Sequence, residues 1–189
     1  MKVPPIIFRQ MKTDTGFTVS ELSKSNRILL VFLRHFGCIF CREALDDLSK
    51  IKTQLEHQNQ NVVFVHMASP EKASPYFSKY NLDTAHKIAD QDCTFYHAFG
   101  LMKGTFNQLF GFHSWLRGIE AGIIRGHGMS AQLGDGFQMP GVFVVENDEV
   151  VSHFIHTKVS DKPDYLSMVL DRTTGPSTPM VKWRRMSAK

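Results

Sequence analysis

The segment Ile28–Leu48, ILLVFLRHFGCIFCREALDDL, constrains this chain more than any other. An unbroken apolar run from Ile28 to Leu33 stops at Arg34-His35-Phe36-Gly37, and two cysteines follow with Cys-x-x-Cys spacing, Cys38 and Cys41. Beyond them the hydrophobic period changes. Cys41, Ala44, Leu45, Leu48, Ile51 and Leu55 fall on one helical stripe. Strand, turn, Cys-x-x-Cys and helix together form the layout of a thiol redox site. Only a thiolate attacks a disulfide or a peroxide, and a free cysteine, with a pKa of about 8.5, is mostly protonated at neutral pH. The first turn of a helix presents unpaired N–H groups and the positive end of the helix dipole, which favour the charged sulfur. A second thiol three residues on can resolve a mixed disulfide or a sulfenic acid. Arg42 adds a positive charge next to Cys41, and Arg34 and His35 flank the site as candidates for tuning a thiolate or moving a proton.

The rest of the chain frames this segment. Residues 1–16 read as a leading arm, and Phe17-Thr18-Val19 as a short strand before a turn at Ser23–Asn26. Ile28–Leu33 is apolar on both faces, so it belongs at the centre of a sheet covered on both sides. A helix from about Cys41 to Gln58 follows. Val62–Met67 is a second buried strand, and Ser69-Pro70 starts a helix that reaches Tyr80. Lys87–Asp90 is a third strand, with Asp92 as the cap of a helix that has Cys93 in its first turn. Residues 102–138 form a long insertion rich in glycine and aromatic residues, with a helix over Trp115–Ile124. An insertion of that length serves as an active-site cover or an interface, here a surface for a homodimer. Val142–Val145, a turn at Asn147-Asp148 and Val150–Ile155 make a β-hairpin, and Asp164–Leu170 a last helix. The order gives an α/β fold of thioredoxin-like topology: a three-layer sandwich with a central mixed sheet and a long helical insertion before the last hairpin. The domain runs over residues 17–170, and 171–189 is a basic tail that reads as disordered.

Composition narrows the function classes. The net charge of +4 is accounted for by the tail, where Arg172, Lys182, Arg184, Arg185 and Lys189 stand against Asp171. A neutral body argues against nucleic-acid binding. No apolar run approaches the roughly 20 residues of a membrane-spanning helix, and the first residues carry no signal-peptide pattern. Three cysteines without an export signal point to a reducing, cytoplasmic setting.

Three readings of the cysteines stay open from the residues: a dithiol redox centre, a zinc site of Cys38, Cys41, Cys93 and His97, or an idle or redox-sensing pair in a module kept for protein contact. Cys93 itself reads as a further resolving thiol, a low-pKa cysteine at its own helix start, or a small buried hydrophobe. His153 and His156, three apart on a strand, point to opposite faces and make a poor metal pair. His113 and His127 lie in the insertion without spaced partners.

Phe32–Glu43 (FLRHFGCIFCRE) resembles the redox motif of the peroxiredoxin-like proteins, the Cys-x-x-Cys branch of the alkyl hydroperoxide reductase/thiol-specific antioxidant superfamily. Asp90–Leu101, Gln138–Glu146 and the insertion with Gly118 and Arg125-Gly126-His127 are similar to later parts of that family. The resemblance implies a thioredoxin fold and a thiol peroxidase or thiol-disulfide oxidoreductase. It implies no organic cofactor and no metal. The substrate would be a peroxide or a disulfide, and a thioredoxin-type protein or glutathione would be the reductant. It makes Met139-Pro140 the counterpart of the cis-proline loop that faces the cysteines. It leaves open which cysteine attacks first, since thioredoxins use the first of the pair and peroxiredoxins the second position; Cys38 is read here as the exposed nucleophile and Cys41 as the resolving thiol. The chain departs from its relatives in Ile39-Phe40, in Phe32 where thioredoxins carry a buried aspartate, and in Met139-Pro140-Gly141 where usual peroxiredoxins place an arginine.

Overall fold

The computed structural model describes residues 1–105 and 135–171. Its elements are α1 (Pro5–Gln10), α2 (Val19–Ser25), β1 (Ile28–Phe32), α3 (Ile39–His57), β2 (Asn61–His66), α4 (Pro70–Lys79), β3 (His86–Ala89), α5 (Thr94–Ala98), β4 (Gly141–Glu146), β5 (Glu149–Ile155) and α6 (Tyr165–Leu170). The five strands make one mixed sheet in the order β3-β2-β1-β4-β5. β1, β2 and β3 pair in parallel, while β4 runs antiparallel to both β1 and β5. The three-layer α/β architecture expected from the sequence is the one observed, with β1 in the middle of the sheet.

All five residues of β1 are buried, and alternation divides them, with Leu33 just beyond the strand, between two cores. Ile28, Leu30 and Phe32 join Phe8, Met11, Val19, Tyr96, Phe99 and Phe143 on one face. Leu29, Val31 and Leu33 meet Leu45 and Leu48 of α3, Phe77 of α4 and Met168 of α6 on the other. Phe32 packs edge-on against Tyr96 and Phe143, with ring centroids 5.0 and 5.5 Å away.

Three local expectations change. Phe17-Thr18-Val19 is not a strand: Thr18 begins α2 through a reciprocal capping box with Glu21, so the backbone turns into a helix after one isolated bridge to Lys12. Residues 1–16 include α1, and Phe8 and Met11 are fully buried in the core. Asp90, rather than Asp92, caps α5: its carboxylate accepts from the amides of Thr94, Phe95 and Tyr96 at 2.8–3.2 Å. The helix expected over Trp115–Ile124, His113, His127 and the tail beyond Asp171 lie outside the described residues.

Tyr96 locks the end of β1 to β2. Its buried hydroxyl donates to the carbonyl of Leu33 and lies 3.1 Å from that of Val65. Tyr96→Phe leaves both carbonyls short of this donor and is expected to cost about 1–3 kcal/mol, read as a lower urea midpoint with an unchanged slope. An unchanged midpoint would show that the tie contributes nothing.

Candidate active site

β1 delivers the chain to the site and α3 leaves from it. After Leu33 the backbone turns through Arg34–Gly37, and the Cys38 amide donates to the His35 carbonyl at 2.9 Å. Cys38 takes the N-cap position of the 19-residue α3, and Cys41 lies in its first turn. The apolar stripe that turns Leu45 and Leu48 into the core also turns Cys41 inward. Phe40, between the cysteines, packs against Met139 and Val159.

Both sulfurs are reduced and nearly sealed, Cys38 at 6% and Cys41 at 5% exposure. Cys38 is therefore not the exposed thiol expected from the sequence. Phe40, Pro140 and Val159 line the same cavity as its sulfur. Two buried, touching thiols accommodate one negative charge, and the surroundings place it on Cys38. The Cys41 thiol donates to it, which pulls the Cys38 pKa down against the effect of burial, and the Arg34 charge adds to the shift. Cys41 is held well above the ordinary thiol range because its proton is shared with Cys38, because it is buried and because the Cys38 charge repels a second one. The Arg34 amide, 3.3 Å from the Cys41 sulfur, opposes this only in part.

Arg34 is buried, and its guanidinium donates to the carbonyl of Gly136 while Nε has no partner. The charge named among the main causes at Cys38 is that of Arg34. Arg42 is buried one turn into α3, where its charge bears on His35 and Tyr80. His35 is buried and pushed down to about 4, mainly by burial and then by Arg34 and Arg42.

The sulfurs line a cavity of about 30 Å³ together with Arg34, Phe40, Pro140, His156 and Tyr165. Glu43 and Asp47 of α3 also border it, paired with Lys162 at 3.6 and 2.6 Å. Pro140 lines the same cavity as the cysteines, and no peptide bond among the described residues is cis, unlike the cis-proline loop that the resemblance implies. Here the approach is fixed by pairing instead: Met139 donates to Met102 at 3.3 Å and Lys103 bridges Gln138, so the two ends of the insertion close beside the site.

Cys93 stands apart. Its φ of 57° is left-handed, its side chain packs on the core that holds Phe32, and burial followed by the Asp90 and Asp135 charges pushes its thiol up. It is not a low-pKa cysteine at a helix start. Among the described residues no group of three or more His, Cys, Asp or Glu side chains is disposed to hold a metal, so Cys38, Cys41, Cys93 and His97 do not assemble a zinc site. His156, Tyr165 and Lys162 were not singled out from the sequence as site residues. Strand alternation marks the first of them. Phe154 pairs with Val142, which belongs to the α3-side core, and His156 lies two residues further on the same face.

Three buried histidines, His35, His66 and His156, are each pushed down to about 4, with burial the main cause. An unfolded chain titrates these groups near 6.5. As pH falls below about 6.5 the unfolded chain therefore takes up protons that the folded one refuses, and stability drops until about pH 4. A urea midpoint already falling between about pH 6.5 and 5, before ordinary carboxylates titrate, is the expected result. A flat midpoint over that range would contradict neutral burial of these rings.

Comparison with known proteins is consistent with this geometry. A family model described as AhpC/TSA antioxidant enzyme matches residues 47–159, beginning within α3 after the cysteine pair. Bovine peroxiredoxin-like 2C is 30% identical over 86 residues, 44% of this chain, and the match spans 37% of that protein. A peroxiredoxin Q from Xanthomonas campestris superposes with a TM-score of 0.60 at 13% identity, covering 85% of this chain and 88% of the other. The peroxidoxin BcpB of Mycobacterium tuberculosis gives 0.54 at 12% identity, covering 79% and 82%. At those identities the two structures speak for the fold alone.

Proposed function

The chain belongs to the AhpC/TSA antioxidant enzyme family, and from that premise we propose that it is a thiol peroxidase that cycles Cys38 and Cys41 between dithiol and disulfide. The observation that carries the reading is the asymmetric pair at the head of α3: one sulfur is made acidic by its neighbour and by Arg34, and the other is kept protonated. In the first step the Cys38 thiolate attacks one oxygen of a hydroperoxide. The O–O bond breaks, Cys38 becomes a sulfenic acid, and the departing alkoxide or hydroxide takes a proton to leave as alcohol or water. Cys41 then attacks the Cys38 sulfur, an S–S bond replaces the S–O bond, and water is lost. An external dithiol returns both cysteines to the reduced state by exchange, itself becoming a disulfide. A thioredoxin-type protein has the chemistry for that step, as do two molecules of glutathione acting in turn, the first forming a mixed disulfide that the second releases as oxidised glutathione, and a cytoplasmic setting would supply either.

Peroxide is favoured over a protein disulfide by size and access. A cavity of about 30 Å³ has room for one or two water-sized groups, which suits a small hydroperoxide. Sulfurs 5–6% exposed suit a small peroxide, whereas any protein partner, the reductant included, reaches them only after local opening. Arg34, with Nε buried and unpartnered at the cavity wall, has a donor available for a peroxide oxygen. His35, Arg42, Met139 and Pro140 support the site by position, and Cys93 needs no part in the cycle.

The test is to expose the reduced protein to hydrogen peroxide and count thiols. Two of three are expected to disappear, with an intramolecular link between Cys38 and Cys41 by peptide mapping. Cys38→Ser should abolish peroxide consumption, and Cys41→Ser should leave a sulfenic acid that a dimedone-type probe traps. No loss of thiols would leave the pair idle, and an unchanged rate in Cys38→Ser would assign the attack elsewhere.

A further inference from the structure

The cavity beside the sulfurs has two kinds of wall. Val31, Leu33 and Val142 line it from the core shared with α3, and Phe32 from the core on the other face of the sheet. These residues do not yield without disturbing a close-packed core. The space they leave is about 30 Å³, room for roughly two water-sized groups. Hydrogen peroxide is of that size. An organic hydroperoxide brings the same pair of oxygens and an alkyl or aryl group besides, so it needs space beyond this.

Phe40 is the side chain placed to deny it. It stands between Cys38 and Cys41 in the chain, is half-buried, and lines the cavity with both sulfurs. It packs on neither main core but on Met139 and Val159, which make a separate small cluster. Its backing is firm. Met139 is buried, and its amide donates to the Met102 carbonyl at 3.3 Å. Val159 is buried in a turn tied by Asp161, whose amide donates to the Lys158 carbonyl at 3.0 Å and whose carboxylate accepts from the Thr157 and Lys158 amides at 2.8 Å. The ring keeps its place by contact with buried groups, yet neither main core depends on it. We propose that Phe40 is the size-selecting residue of the site, confining the substrate to hydrogen peroxide and excluding hydroperoxides with bulky organic groups. This inference rests on the peroxidase reading above. Arg34, whose buried Nε has no partner, serves the peroxide oxygens that all such substrates share, so it does not discriminate among them. The discrimination falls to the ring. Its removal opens apolar volume beside the sulfurs, where an organic group can lie.

The experiment mixes the reduced protein with hydrogen peroxide or cumene hydroperoxide and follows loss of the Cys38 and Cys41 thiols in a single turnover. The quantity read is the ratio of the cumene hydroperoxide rate to the hydrogen peroxide rate within each protein, so that a general loss of reactivity cancels. F40A is expected to raise that ratio about tenfold or more, the effect of relieving a steric block in an apolar pocket. V159A takes less from the same cluster and should shift the ratio the same way by a smaller factor. K162Q is the control for a loosened loop. It breaks the ties of Lys162 to Glu43 and Asp47 at 3.6 and 2.6 Å but leaves the ring in place, and its ratio should stay at the wild-type value. An unchanged ratio in F40A, or an equal rise in K162Q, would overturn the inference. Should F40A fail to fold, F40L and V159A decide by the same criterion. If wild type loses no thiols to either peroxide, the peroxidase reading fails and the size filter with it, an outcome distinct from an unchanged ratio.

Discussion

The site depends on there being room for one negative charge and not two. Cys38 and Cys41 are buried side by side, so ionising both would place like charges in contact away from water. Their environments then break the tie. The N-cap position, the Arg34 guanidinium and the Cys41 thiol act on Cys38, while Cys41 carries the shared proton. A pair in open solvent would have no reason to divide its roles this way. Burial, which opposes any thiolate, here helps to keep the proton on the second sulfur.

The fold supplies this arrangement from its most rigid part. β1 is bonded on both sides, and its end is held by Tyr96, so the turn carrying Arg34 starts from a fixed point. α3 starts immediately after it and is pressed onto the sheet by Leu45 and Leu48. The opposite wall comes from remote parts of the chain. Pro140 precedes β4, His156 follows β5, and both are set by the hairpin's register with β1. Arg34 crosses to the Gly136 carbonyl, which couples the thiol site to the stem of the insertion.

What was legible in the sequence was what periodicity and local spacing encode. The solid run Ile28–Leu33 announced a central strand, and the change of period after Cys41 announced α3. The hairpin and the last helix were also readable, and Asp164 indeed caps that helix through the Ser167 amide. What was missed depended on geometry between distant residues. Nothing local says that Asp90 rather than Asp92 will sit under α5, or that Phe8 and Met11 will fill one core. The surroundings of Cys38 were hidden for the same reason: Pro140, His156 and Val159, which share its cavity, are remote in the chain. Arg42 looked like a partner of the cysteines because it is adjacent in sequence. On a helix, adjacent residues point about 100° apart, and its charge bears on His35 and Tyr80.

The central claim is that Cys38 holds its proton less tightly than a free thiol, and Cys41 more tightly. Alkylation rates of the two cysteines, measured separately by mass spectrometry across pH on the reduced protein, test it directly. The account predicts a Cys38 rate that reaches its plateau well below the ordinary midpoint of about 8.5, and a Cys41 rate still rising above it. A Cys38 midpoint at or above 8.5, or Cys41 ionising first, would contradict it.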